Sequence, residues 1–153
     1  EVVEEDPVGQ AGEAVVQGLL AQLLLVGRAL GDVPGQGQDQ AAAAGGVLAE
    51  YAEELRTESQ ALAATTAALW ASGDPQVALA NASLYLEAAG HVVVAWLWLS
   101  QLVTASDKSG DFYEGKRAAG RYFFHYELPK ASTQFAVLNS LDRTALDAQP
   151  EWF

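Results

Sequence analysis

Few side chains in this sequence could perform acid–base or ligand chemistry, and they do not form a familiar constellation. There is no Cys, which excludes thiolate nucleophiles, disulfides and Cys-based zinc sites. The two His residues, His91 and His125, lie far apart, which does not suggest a metal centre. His91 could move a proton. Its apolar helical surroundings favour a core or interface position with one satisfied hydrogen bond. His125, beside Tyr126 and Glu127, reads as a surface or kink position. Glu87 could be a catalytic carboxylate. The expectation is instead a buried residue paired with Arg117 or Arg121, which would offset its burial cost. No catalytic, cofactor-binding or metal-ligating set emerges.

The densest chemistry is in "FYEGKRAAGRYFFHYELPKA", residues 112–131. Lys116, Arg117 and Arg121 are its basic cluster, and with Tyr122 and Phe123 nearby they are candidate contacts for an anion such as a CoA phosphate. The competing reading is salt bridges to acidic helices. Phe112, Tyr113, Phe123 and Phe124 are candidate packing or interface residues. Pro129 inside a helix removes one backbone hydrogen bond and clashes with the preceding turn, which predicts a kink near Tyr126–Leu128. Gly115 and Gly120 each weaken the helix by roughly 1 kcal/mol relative to Ala, a cost that close approach of another helix would offset. Trp96 and Trp98 are two residues apart and cannot share a helix face. One is expected inside the bundle and the other at an interface.

The elements that must position these residues read as helices throughout. Residues 13–30 form a first helix with "VVQGLLAQLLLVGRAL" as its apolar body, stopped by Gly31 and Asp32 before Pro34. "GDVPGQGQDQ" reads as a mobile, Gly-rich linker. A second helix is expected from Ala41 to Ser72, with Leu48, Tyr51, Leu55, Leu62, Thr66 and Leu69 on one face. In "SGDP", Gly73 suits a left-handed position, Asp74 an N-cap and Pro75 a first turn. A third helix is expected over Pro75–Ser106, and its second half, apolar nearly all round, marks a central buried helix. Membrane spanning is disfavoured because Glu87, His91, Ser100 and Gln101 interrupt the run and no basic flank orients it. Asp111 and Glu114 predict a capping box opening a fourth helix over Phe112–Ser140. The tail is expected to be partly ordered by Trp152 and Phe153. The fold class is therefore all-α, an antiparallel bundle of about four helices with the last kinked at a proline.

The chain has 153 residues, half of them hydrophobic, with 8 basic against 20 acidic residues and a net charge of −12. This is enough for one domain with a real core. The acidic balance opposes binding to nucleic acid or to an anionic membrane. There is no Met, the chain begins at Glu1, and the acidic start lacks a basic n-region. The expectation is a piece of a longer cytoplasmic protein without a signal peptide.

A family resemblance adds to this. "DFYEGKRAAGRYFFHYELPKA" resembles the last helix of the extra C-terminal domain in long acyl-CoA dehydrogenases. The matching residues are Phe112, Tyr113, Lys116, Ala118, Ala119, Phe123, Phe124, Leu128 and Pro129. "ALANASLYLEAAGHVVVAWLWLSQLVTA" is similar to the helix before it, and the acidic tail closing on an aromatic resembles actinobacterial-type members. The resemblance covers residues 41–153, which implies a division into 1–40, a lead-in with linker, and 41–153, the helical bundle. Residues 13–30 resemble the helix that closes the family's flavin domain, through Gly18, Ala21, Gln22, Gly27 and Arg28.

The resemblance implies a parent that uses FAD to introduce an α,β double bond into acyl-CoA in fatty-acid β-oxidation. The place of the family's catalytic Glu-Gly-Thr falls on Ala14 or Val15; Glu13 is the nearest carboxylate and no Gly-Thr follows it. The chain itself is therefore expected to bind no cofactor and to be non-catalytic. It would act as an accessory or oligomerisation domain that packs on the parent's flavin-binding domains in a homodimer and meets acyl-CoA only through the parent. The alternatives are a stand-alone helical module binding an acyl chain or partner helix, and a DNA-contacting domain, which the charge opposes.

Overall fold

The computed structural model describes residues 36–152, which are helical with short turns. The expected helix over 13–30 and the residue Phe153 lie outside the described residues. The elements are α1 (Gln36–Ala44), α2 (Gly46–Ala71), α3 (Pro75–Leu79), α4 (Ala82–Ala105), α5 (Asp111–Tyr122), a π-helical turn (Phe123–Glu127), α6 (Lys130–Asn139) and α7 (Thr144–Asp147). A 3₁₀ turn, Pro150–Trp152, follows.

The long rods are α2, α4 and the combined α5–π–α6. The chain reverses between consecutive rods. Thr66 meets Tyr85 near one turn, and Arg117 reaches Ala105 near the next. The first and last rods consequently run parallel. Tyr51 stacks on Phe124, Glu58 accepts a hydrogen bond from Ser132, and Thr65 accepts one from Asn139. The described part of the antiparallel bundle is thus up–down–up, with α1 packed against α2 and α4.

The face expected on the second helix is the buried face of α2: Tyr51, Leu55, Leu62, Thr66 and Leu69 are buried and Leu48 packs partly against them. From α4 come Tyr85, Ala88, Val92, Ala95, Leu99 and Leu102. The last rod contributes Phe124, Leu128, Ala131, Phe135 and Leu138. The helix α4 is 24 residues long and, by length and composition alone, apolar enough to cross a membrane. Eight of its residues are buried in the bundle, the pattern of a central core helix.

Several expected boundaries move. The expected linker and second helix are divided differently: Gln36–Gln40 already belong to α1, and the break falls at Gly45, where φ is 71° and ψ −174°. Only glycine tolerates that region cheaply. The expected third helix is divided at Ala80–Asn81, where Asn81 donates its side-chain amide to the Asp142 carbonyl 2.8 Å away and ties the turn to the far end of the last rod. The "SGDP" turn forms as expected: Gly73 has φ 70°, and Asp74 accepts a hydrogen bond from the Gln76 amide at 2.8 Å with Pro75 at the first helical position. The expected capping box does not form. Gly110 is the N-cap, Asp111 is already helical with no side-chain cap bond, and Glu114 turns forward to Arg117.

Pro129 is accommodated by the π turn. The Leu128 amide donates to the Phe123 carbonyl, five residues back, at 2.9 Å. The regular ladder is therefore interrupted in the segment expected to adapt to the proline. The wider turn also keeps Gly120, Phe124 and Leu128 on the buried face. In an α-helix each four-residue step would rotate the face by about 40°, and a π turn cancels part of that drift.

Candidate functional site

The basic cluster resolves into different roles. Arg117 donates to the carbonyls of Ala105 (2.7 Å) and Lys108 (3.1 Å) while its other nitrogens hold Glu114. It closes the C-terminal end of α4, where unsatisfied carbonyls and the helix dipole favour a cation. Its guanidinium is held above its usual range and the Glu114 carboxyl below its own, in both cases chiefly by their shared hydrogen bond. Lys116 donates to Gln101 Oε1 at 2.9 Å and sits over the rings of Trp98 and Phe112, at 5.4 and 5.7 Å. Arg121 is exposed and forms no hydrogen bond or ion pair among the described residues.

The expected pairing of Glu87 with Arg117 or Arg121 is absent. Glu87 is exposed on α4 and Arg117 is held by Glu114. Burial, which was to drive that pairing, does not apply. His91 takes an interface position. Its Nδ1 lies 2.9 Å from the Glu87 carbonyl, its Nε2 is 3.7 Å from Glu127, and its ring faces Phe123. Glu127 is held below the usual carboxylate range, first by its hydrogen bond from Lys130 and further by His91.

Among the aromatics, Phe124 is in the core, stacked on Tyr51 with ring centroids 4.3 Å apart. Phe123 is half-buried, Tyr113 is half-buried against the exposed Phe112, and Pro129 is exposed. Both Trp96 and Trp98 pack partly against the core. A central helix has neighbours on several sides, so two residues pointing different ways both find cover. Close approach explains one of the two glycines. A Cβ on Gly120 would lie 2.8 Å from the Leu102 side chain, whereas one on Gly115 would meet nothing within 4 Å.

One grouping was missed in the sequence. Arg117, Arg121 and His125 follow at four-residue steps, which places them on one helix side, and all three line a cleft of about 470 Å³. Its other walls are Val47, Leu48 and Tyr51 from the start of α2, and Leu102 and Ser106 from the end of α4. The π turn serves this site by directing Phe124 into the core while His125 reaches the cleft. Tyr51 is only 5% exposed, yet its hydroxyl finds no partner among the described residues. Burial raises its phenol above the ordinary range, with Arg121 opposing that rise. The first turn of α2 carries no acidic residue and no side-chain cap. A second, more open groove of about 370 Å³ is lined by Leu97, Gln101, Phe112, Tyr113 and Lys116 among others. Among the described residues no group of three or more His, Asp or Glu side chains could hold a metal ion.

No curated protein and no solved structure matches this chain. Residues 29–149 do match a known family, described as acetyl-CoA dehydrogenase C-terminal like. That span takes in all of the long rods, the π turn and the family-like aromatic segment. The chain belongs to the acetyl-CoA dehydrogenase C-terminal-like family, that of the C-terminal domain of acyl-CoA dehydrogenases.

Proposed function

We propose that this chain is an accessory, non-catalytic domain of an FAD-dependent acyl-CoA dehydrogenase, one that packs on the parent's flavin-binding domains and shapes a cytoplasmic homodimer. The observation that supports this reading is an uncovered apolar surface. Leu86, Val94 and Leu97 recur on one side of α4 and are 59%, 38% and 45% exposed. Phe112 adjoins Leu97 in the open groove. A central helix that keeps an apolar stripe outside its own bundle is suited to burial against another surface.

In this reading flavin and acyl-CoA are held by the parent's other domains, and the flavin supplies the hydride chemistry.

Sedimentation of the chain tests the interface. The wild-type chain is expected to self-associate at micromolar concentration, and the double substitution Leu86→Lys, Leu97→Lys to be monomeric with unchanged helicity. A wild-type chain that stays monomeric at about 100 μM, well above typical working affinities, overturns the dimer reading.

A further inference from the structure

We infer that the cleft between the start of α2, the end of α4 and the α5–π junction is a binding site for an amphipathic carboxylate, with Arg121, His125 and the Tyr51 hydroxyl receiving the head group and Val47, Leu48 and Leu102 receiving the apolar body. This goes beyond the accessory-domain reading and does not rest on it.

The first support is charge. The chain carries −12 overall, yet this concavity gathers three groups that are or can become cationic. Arg117 is already committed to the carbonyls of Ala105 and Lys108 and to Glu114. Arg121 has no such commitment among the described residues, and a guanidinium is suited to a two-point contact with a carboxylate.

The second support is the Tyr51 hydroxyl. The residue is 5% exposed, but its hydroxyl is not sealed from solvent and has no partner among the described residues, so it is free to bond an incoming group. Here the ring is held by the Phe124 stack at the wall of a cleft where an incoming carboxylate oxygen would accept a hydrogen bond from the hydroxyl. The third is the uncapped start of α2, whose free amides favour an anion. The π turn adds weight, because such turns concentrate at functional sites.

The rim restricts the ligand. Glu50 and Glu54 lie close enough to Tyr51 to raise its phenol pKa further, and Glu54 is also attracted to His125. Two carboxylates beside the head-group position disfavour a polyanion and leave a monoanion as the better match. The remaining walls are aliphatic, so a bare inorganic anion would leave them wet. An apolar tail removes that surface from water.

Titration calorimetry on the full chain tests the inference with decanoate, decanol and inorganic phosphate. Saturable one-to-one binding of decanoate is expected, with decanol and phosphate each at least roughly tenfold weaker. Arg121→Gln should weaken decanoate by about tenfold or more. Tyr51→Phe keeps the ring stack and should weaken it several-fold. Arg56→Gln, which removes an exposed cation paired with Glu53 on α2, should leave it unchanged. Circular dichroism confirms that each variant is folded. Absence of decanoate binding overturns the inference. So does decanol or phosphate binding as tightly as decanoate, or decanoate affinity that survives Arg121→Gln.

Discussion

The buried hydrogen bond between Thr66 and Tyr85 has a direction, and that direction makes a quantitative prediction. The two oxygens are 2.8 Å apart and both residues are 4% exposed. The Thr66 hydroxyl also lies 2.7 Å from the Leu62 carbonyl and can only donate there. Its single proton is therefore used, and Tyr85 must donate to Thr66. Tyr85→Phe removes that donor but leaves the Thr66 proton satisfied, so the cost is one net hydrogen bond, about 1 kcal/mol. Thr66→Val removes the acceptor and leaves a buried phenol proton unpaired, at a cost of about 1–3 kcal/mol. A cavity of about 20 Å³ touches both residues. That is room for one water, which would hold the penalty toward the lower end.

The assay is urea unfolding of the wild type, the two single variants and the double variant. Thr66→Val should be the costlier single change, and the double variant should cost less than the sum of the singles by roughly 1 kcal/mol. Tyr85→Phe costing more than Thr66→Val would refute the assigned direction. A strictly additive double variant would refute the bond itself. Alkaline titration gives a second reading. Burial raises the Tyr85 phenol above its ordinary value of 10.0. A group whose folded-state pKa is raised contributes stability that is complete below the unfolded value and is lost as pH climbs through the folded one. Tyr85→Phe should therefore flatten the loss of stability above pH 10.

Two further outcomes are expected. Gly120→Ala forces a Cβ against Leu102 and should destabilise by about 1 kcal/mol despite the gain in helix propensity, whereas Gly115→Ala, with open space, should stabilise by roughly 1 kcal/mol; chemical denaturation of the pair separates contact from propensity, and the same sign for both would contradict the packing. In acid, Glu114 and Glu127 are both held below their ordinary value of 4.5 by basic partners, so their contribution is present above that value and is lost as pH falls through the depressed ones; Arg117→Gln should shrink the acid-limb loss, measured as thermal midpoint against pH, and an unchanged limb would show that the pair contributes nothing.

Much of this fold was legible in the sequence because its signals are local. The six apolar and threonine positions of α2 repeat at helical spacing and occupy the inner side of that helix. "SGDP" specifies a turn through the left-handed freedom of Gly73, the capping carboxylate of Asp74 and the fixed φ of Pro75, none of which needs a distant partner. The near-continuous apolar run of α4 announced its central position, and the aromatic segment before Pro129 pointed to the family. Where competing local signals met, the reading failed. Gly45 follows a run of four alanines that favours a helix, and its unusual φ and ψ end α1 there. Asp111 had the spacing of a capping box, but Gly110 took the capping position and Glu114 found Arg117 one turn ahead.

Partnership across the bundle could not be read locally. Glu87 lies on a strongly apolar helix, and only the placement of the neighbouring rods shows that its side faces water. Gly115 and Gly120 are equivalent by propensity; the crossing of α5 over Leu102 distinguishes them. The cleft is the clearest case. Arg117, Arg121 and His125 are visible at four-residue steps, but Tyr51 is some seventy positions away and belongs to another apolar stripe. Sequence determines which residues share a helix face, because helical periodicity is a property of the local backbone. Tertiary packing alone decided which faces meet and which polar groups are left to seek a partner, because those outcomes depend on how whole rods are placed against one another.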